Sequence, residues 1–342
     1  MDPISQGSLG AVIPGSIWGP KQYRVAVLLG CLAGLAPDLD VLIQSSTDPL
    51  LFLEYHRQFT HALMFIPIGA LVVASVCYPV VRRWLSFTQA YLACLLGYAT
   101  HGFLDACTTY GTQLFWPFTN FRVSWNVVSV LDPVFTIPLL VIVIVATVKR
   151  KRAIAWFGLG WTVIYLTFGA FQHQRAMDEG MEIALGMEHS PAMLSAKPTI
   201  ANLIAWKVVY LHDGVFYAHA VHTGFDTKRC GSVSAPQLDV SSQFPWLDEK
   251  SQQAEDVKRF SWFSQDYVAV DPTNPNKIID MRYTFAPNKL EALWGIELDR
   301  NLGLTEHAKY FTNREVNPEL TEALLDVITG DSCESATTGP QS

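Results

Sequence analysis

Residues 89–107 read QAYLACLLGYATHGFLDAC, an apolar run without Lys or Arg that closes on His101 and Asp105. Its length suits a bilayer-crossing helix, which needs about 20 mostly apolar residues. The two ionisable side chains are four apart, so on a helix they share one face, one turn from each other. Ionisable groups at the edge of a bilayer are costly and need a partner, a wet cavity or an ion. The stretch therefore predicts a membrane helix bundle with chemistry at one rim.

Outward from it, residues 61–81, 131–148 and 153–172 approach the same length, and a shorter run, Val25–Ile43, is interrupted by Pro37-Asp38-Leu39-Asp40. Ile4–Trp18 is apolar and Gly-rich; it reads as a half-buried helix or as a short first span paired with 25–36. Residues 1–172 carry ten Lys/Arg and seven Asp/Glu, while 173–342 carry fourteen and twenty-four. The first half is thus nearly free of charge and the second is acidic. The expected fold is mainly α: a polytopic transmembrane bundle of five to six spans over 1–175, a soluble α+β domain over 176–330, and a disordered tail over 331–342. Clustered Lys/Arg is missing from the acidic half, which excludes a nucleic-acid surface of the usual kind.

Basic residues orient the bundle. Lys21/Arg24, Arg82/Arg83 and Lys149–Arg152 belong in the cytoplasm, and the alternate connections 44–60 and 108–130 hold only Arg57 and Arg122. The region after 172 then emerges on the exoplasmic face. Asp38/Asp40 end one span, His61 begins the next with Thr60 as its N-cap, and His101/Asp105 lie near the end of a third; all reach that same face. Asp2 joins them if Ile4–Trp18 also crosses.

In the second half, 205–222 predicts a β-hairpin turning at His212-Asp213-Gly214, with further strands at 267–270, 278–283 and 293–298. Lys250–Lys258 reads as a loop or surface helix. Cys230 and Cys333 can pair if this half lies outside the cytoplasm. His219 and His222 fall on a strand and point to opposite faces, which makes them poor joint ligands.

Three clusters meeting at one depth point to a bound cation. Asp38 and Asp40, two apart after a proline, can aim both carboxylates at one site, and two such charges repel unless a cation neutralises them. His61, His101 and Asp105 complete a ligand set suited to a divalent metal, Zn by donor type with Mn or Mg as alternatives. Arg57 has the planar fork that holds an anion, and His56 either completes the metal site or exchanges protons. Thr108, Thr109, Asn126 and Asp132 are expected around the ligands.

At Met1-Asp2-Pro3-Ile4-Ser5-Gln6, Pro37-Asp38-Leu39-Asp40, His56-Arg57-x-x-Thr60-His61 and His101-x-x-Leu104-Asp105-x-x-Thr108-x-Tyr110-Gly111, the chain resembles the YdjM-like inner-membrane metal-dependent hydrolases of bacteria. The resemblance covers roughly the first 175 residues. Later segments, Lys197-Pro198-Thr199 with Asn202 and Trp206, Arg259–Ser264 and Asp280–Tyr283, resemble the appended domain of longer members. It implies a relation to zinc-dependent phospholipases C and single-strand nucleases. In those terms His101 and Asp105 resemble a His-x-x-x-Asp ligand pair, His61 an isolated ligand, and Asp38 or Asp40 a bridging carboxylate. Gln6 stands where many relatives have His, and a second such pair is missing among the spans, so one or two ions are expected.

The function expected from all this is hydrolysis of a phosphoester or related ester at the exoplasmic face of the inner membrane. Membrane lipids would be the partners, the substrate would be a lipid or lipid-linked molecule, and self-association is left open. Two rivals remain: a divalent-metal or proton-coupled transporter, and a membrane protein whose metal is structural.

Overall fold

The computed structural model describes residues 1–315, 317–331 and 333–335. About half the chain is helical, and β-sheet is confined to the C-terminal part. Two compact units are formed, one from Met1–Ile43 with Tyr55–Ala170, the other from Gln44–Glu54 with Phe171–Ser342.

The first unit runs through α1 (Pro3–Ile17), α2 (Tyr23–Leu35), a 3₁₀ segment (Ala36–Leu42), then α4 (Ile66–Val81), α5 (Phe87–Cys107), α6 (Pro133–Lys149) and the first part of α7 (Arg152–Gly186), while the rest of α7 and nearly all of the short α3 (Leu51–Tyr55) belong to the second. Local chemistry sets these starts. Asp2 caps α1 by accepting from the Ser5 amide with Pro3 at the first helical position, Ser86 and Gln89 form a capping box on α5, and Asp132 caps α6.

Among the described residues, three segments are long and apolar enough to cross a membrane: Tyr23–Leu42, Leu63–Val81 and Arg152–Gly186. The expected count was higher. The helix grown from Ile4–Trp18 has 15 residues, about 22 Å at 1.5 Å per residue, short of a hydrocarbon core of ~30 Å. The 17-residue α6 is apolar but also short, and α5 has the length but carries Gln89, Thr100, His101 and Asp105. The start of the second expected span is corrected as well. Thr60 does not cap a helix at His61: two 3₁₀ turns, Phe59–His61 and Leu63–Phe65, intervene, and α4 begins at Ile66, where Pro67 favours a helix start.

Glycines decide how closely α1, α2 and α5 approach. A Cβ at Gly10 would stand 2.6 Å from Gly30 O and one at Gly34 2.8 Å from Gln6 O, while one at Gly97 would run into Gly30 O itself. Backbone therefore lies against backbone across three helices. Around this contact Ala26, Leu29, Ala33, Ala90, Ala93 and Cys94 are fully buried.

The second unit holds two antiparallel sheets. The first, in order β1-β2-β3-β4-β9, comprises β1 (Met193–Pro198), β2 (Ala205–His212), β3 (Val215–Thr223), β4 (Thr227–Pro236) and β9 (Glu334–Ser335); the second is β5 (Val268–Asp271), β6 (Asn274–Asp280), β7 (Trp294–Glu297) and β8 (Lys309–Thr312). The hairpin expected at 205–222 is β2–β3, with His212 opposite Val215 and positive φ at Asp213 and Gly214, the conformation a two-residue turn of this kind demands. The polar stretch near 250–258 is helix α9 (Gln252–Phe263), capped by Ser251. From α9, Arg259 bridges Asp48, Glu54 and Asp256, which binds segment 44–54 into this unit. Between β4 and α9 lies the short α8 (Val240–Gln243), and α10 (Pro318–Thr329) precedes β9. Cys230 and Cys333 form a disulfide. Part of the expected tail is thereby placed, since Glu334 and Ser335 pair with Arg229 and Lys228; residues 336–342 lie outside the described residues.

The glycine contact generates a matched pair of predictions. Gly97→Ala should destabilise the protein by about 1–3 kcal/mol, the usual range for forced overpacking. Gly160→Ala, with open space within 4 Å of the new Cβ, should be neutral or stabilising by about 0.5–1 kcal/mol through helix propensity. Thermal unfolding of both variants in the same detergent distinguishes them.

Candidate metal centre

The 3₁₀ segment, the two turns before α4, and the last turns of α5 deliver Asp38, Asp40, His61, His101 and Asp105 to one place. His61 and His101 face each other through Nε2, 2.9 Å apart. His61 Nε2 lies 3.5 Å from Asp38 Oδ1 and 3.2 Å from Asp105 Oδ2; His101 Nε2 lies 3.3 Å and 3.6 Å from the same two oxygens. Asp38, His61, His101 and Asp105 thus form a group whose ligand atoms all lie within 4.8 Å of one another, and Asp38, Asp40 and His56 form a second. Asp38 is common to both.

Hydrogen bonding at the far side of each ring fixes what the near side can do. His101 Nδ1 lies 2.6 Å from Gly34 O, a pure acceptor, so Nδ1 carries the proton and Nε2 presents a lone pair. The Thr60 hydroxyl donates to Asp40 Oδ2 at 2.9 Å, so toward His61 Nδ1, also at 2.9 Å, it can only accept. His61 Nδ1 therefore holds its proton too. With both rings neutral, two imidazole lone pairs then confront each other at 2.9 Å, with carboxylate oxygens on both flanks. That contact is repulsive unless a proton or a cation stands between them.

The donor set fits a divalent metal. Ligand atoms of a tetrahedral site with bonds of about 2.0–2.1 Å sit roughly 3.3–3.4 Å apart, and the five separations above scatter around that value. Gln6 Oε1 is buried without a hydrogen-bond partner, while its Nε2 donates to Asp105. Asp38 has 24% of its side chain exposed, whereas His61, His101 and Asp105 have none, so access to the group is from the Asp38 side.

Asp40 is placed differently from the ligand role expected of it in the first group. Its oxygens accept from the Arg57 amide at 3.0 Å and Thr60 Oγ1 at 2.9 Å, meet His56 Nδ1 at 2.8 Å, and stand 3.3 Å from His61 Nδ1. It is the carboxylate that orients a ligating histidine, an arrangement common around metals. Burial holds the His56 imidazole below its usual protonation range, opposed by its bond to Asp40, which leaves a neutral ring near the second group.

Arg57 is buried in a left-handed backbone conformation, φ 63°. Its Nη1 donates to Thr108 Oγ1 at 2.9 Å, its Nε is 3.0 Å from Asp105 Oδ2 without the alignment of a hydrogen bond, and the guanidinium stacks 5.3 Å from the Tyr110 ring centre. It is thus committed to a ligand carboxylate. Asp105 Oδ1 accepts from Gln6 Nε2 at 2.8 Å and also contacts the Met1 amino group.

Asp2 is not brought in. Its carboxylate caps α1, taking Ser5 N and Ser5 Oγ, and belongs to neither ligand group among the described residues. Asp132 likewise caps α6 and accepts from Tyr165. Sequence reasoning missed the Gly34 carbonyl, which has no side-chain signal, and took Thr60 for a helix cap when it is the relay between Asp40 and His61.

The family described as YdjM inner membrane protein matches residues 1–176. The uncharacterized protein YfhP of Bacillus subtilis is 28% identical over 109 residues, 32% of this chain and 33% of YfhP. The inner membrane protein YbcI of Escherichia coli is 31% identical over 107 residues, 30% of this chain and 60% of YbcI. The matched stretches thus cover less than two thirds of either relative. No solved structure matches the chain significantly.

Protein purified without chelator should carry divalent metal by elemental analysis. His61→Ala and His101→Ala should each lose most of it, while Asp2→Asn should keep it and lose only helix-capping stability of about 1 kcal/mol.

Proposed function

The chain belongs to the YdjM inner membrane protein family, and from that membership and the geometry above we propose that it is a metal-dependent hydrolase of a phosphoester or related ester in a lipid or lipid-linked substrate. The observation that carries this reading is the pair of imidazole Nε2 atoms 2.9 Å apart, flanked by the carboxylates of Asp38 and Asp105. A cation held between them would relieve that contact and the repulsion of the two carboxylates.

Asp38, His61, His101 and Asp105 would hold the ion, zinc by donor type, with manganese or magnesium as alternatives. Sharing of Asp38 with Asp40 and His56 leaves room for a second ion. A divalent ion there supplies Lewis acidity and lowers the pKa of water to near neutrality. The chain's own groups do the rest. Asp40 and Thr60 orient His61, and the Gly34 carbonyl orients His101. Arg57, paired with Asp105, adds positive charge where negative charge develops on the substrate. His56, whose side chain is 30% exposed and bonded to Asp40, is placed to exchange a proton with the substrate side.

The orientation we propose puts the cluster and the second unit on the periplasmic side, with five to six spans counting α1, α5 and α6. Support comes from the Lys/Arg bias of the connections and from the Cys230–Cys333 disulfide, a bond that persists in oxidising compartments.

One observation favours a different reading. Four protein ligands fill a tetrahedral site, as structural zinc sites do, whereas catalytic ones keep a position open. A turnover screen on phospholipids and soluble phosphodiesters decides between them. Wild type should turn over at least one substrate, chelation should abolish this, and His101→Ala should lower it by about a hundredfold or more. Metal-loaded wild type inert toward the whole panel would favour the structural role.

A further inference from the structure

The apolar part of α7 stops at a definite point. Residues 153–171 hold no Asp, Glu, Lys or Arg, and Gln172-His173-Gln174-Arg175 follow. At 1.5 Å per residue this stretch is about 28 Å long, close to a hydrocarbon core of ~30 Å. A span that begins after Arg152 therefore reaches the bilayer surface at Gln172.

Beyond that point α7 is a ruler for the second unit. Gln172 Nε2 donates to Leu203 O at 3.2 Å and to Thr223 O at 2.6 Å, just before β2 and at the end of β3. Farther along, a Cβ at Gly180 would stand 2.4 Å from Val208 in the middle of β2. Past the end of the helix, His189 Nδ1 lies 3.0 Å from the Tyr210 hydroxyl, and its ring stacks on His212 at 4.2 Å. β2 thus climbs away from Gln172 beside α7, over about 24 Å at ~3.4 Å per residue. The two ends of this sheet differ in kind. The far end is the polar turn His212-Asp213-Gly214, with the Asp213 side chain 88% exposed. At the Gln172 end the loop tips are apolar: Ile200, between β1 and β2, is 39% exposed, and Phe225, between β3 and β4, is wholly exposed.

We propose that the β3–β4 tip inserts Phe225 at the headgroup–acyl boundary of the bilayer that α7 crosses, with Ile200 touching the same surface, so that the sheet stands on the membrane. The tip is braced for this. Arg175 Nη1 donates to Thr223 O at 3.0 Å and Gly224 O at 2.7 Å, and its Nη2 donates to Phe225 O at 3.1 Å and Thr227 Oγ1 at 3.3 Å. One arginine thereby fixes three successive carbonyls while the phenyl ring between them and Asp226 stays in solvent. A ring presented so rigidly buries nothing within the fold, and exposed apolar groups of this kind mark contact surfaces. Continuity with the span selects lipid as the occupant over a protein: Gln172 and Arg175, which hold the tip, stand one and four positions past Phe171, the last apolar residue of the stretch. Asp226 sets the depth, since its exposed carboxylate belongs among head groups and keeps the ring at the boundary.

Photocrosslinking tests this in the full-length protein, reconstituted in vesicles of phosphatidylethanolamine and phosphatidylglycerol. A diazirine amino acid replaces Phe225, Ile200 or, as the far-end control, Asp213, and lipid adducts are measured by mass spectrometry after irradiation. Adducts at position 225 should exceed those at 213 by at least tenfold, and those at 200 should exceed them at least threefold. Should the protein probed at 225 lack the Cys230–Cys333 disulfide, and so report misfolding, position 200 decides by the same comparison. Yields at 225 and 200 no higher than at 213 overturn the proposal. So do adducts to peptide, from a second copy or another protein, in place of lipid.

Discussion

A hydrogen bond from His101 Nδ1 to the carbonyl of Gly34 is the contact on which the candidate centre depends. It exists because α2 and α5 touch backbone to backbone at Gly30 and Gly97, one helical turn from Gly34 and His101 respectively. With any larger residue at that crossing, His101 would stand too far from the carbonyl for the ring to be locked. The lock sends the Nε2 lone pair inward, and the Asp40–Thr60 relay does the same for His61. A second close approach holds the two rings together: Gly102 on α5 leaves room for His61 O, and Tyr98 on the same helix donates to Thr60 O at 2.8 Å.

Charge gives this geometry its meaning. Asp38, Asp40 and Asp105 gather three carboxylates at the end of apolar helices, and Arg57 answers one of them. Desolvated carboxylates of like sign repel strongly at such distances. A cation bound there would relieve that repulsion and the lone-pair contact together. Asp38 is the partly exposed member of that group, so access to it is from the Asp38 side.

Much of this was legible in the sequence. Period-four spacing of His101 and Asp105, the Pro37-Asp38-Leu39-Asp40 break and His61 ahead of an apolar run are local patterns, and local patterns survive folding. The β2–β3 hairpin was equally plain, because an Asp-Gly pair between alternating apolar residues permits few other turns. What the sequence hid was long-range or borne by backbone. Asp40 orients His61 besides standing in the second ligand group because Thr60 folds into a 3₁₀ turn beside it, with the helix delayed to Ile66. Asp2 has the right chemistry, but its side chain is spent on the amide of Ser5. The expected spans exceed the three segments that length and composition support among the described residues, because α1 and α6 are short and α5 carries polar and ionisable side chains.

X-ray absorption at the edge of the bound metal tests the centre most directly. The account predicts two imidazole nitrogens at about 2.0–2.1 Å together with carboxylate oxygens at about 2.0–2.2 Å, with one imidazole lost in His101→Ala. A spectrum of oxygen-only coordination, or one in which His101→Ala changes nothing, would contradict it.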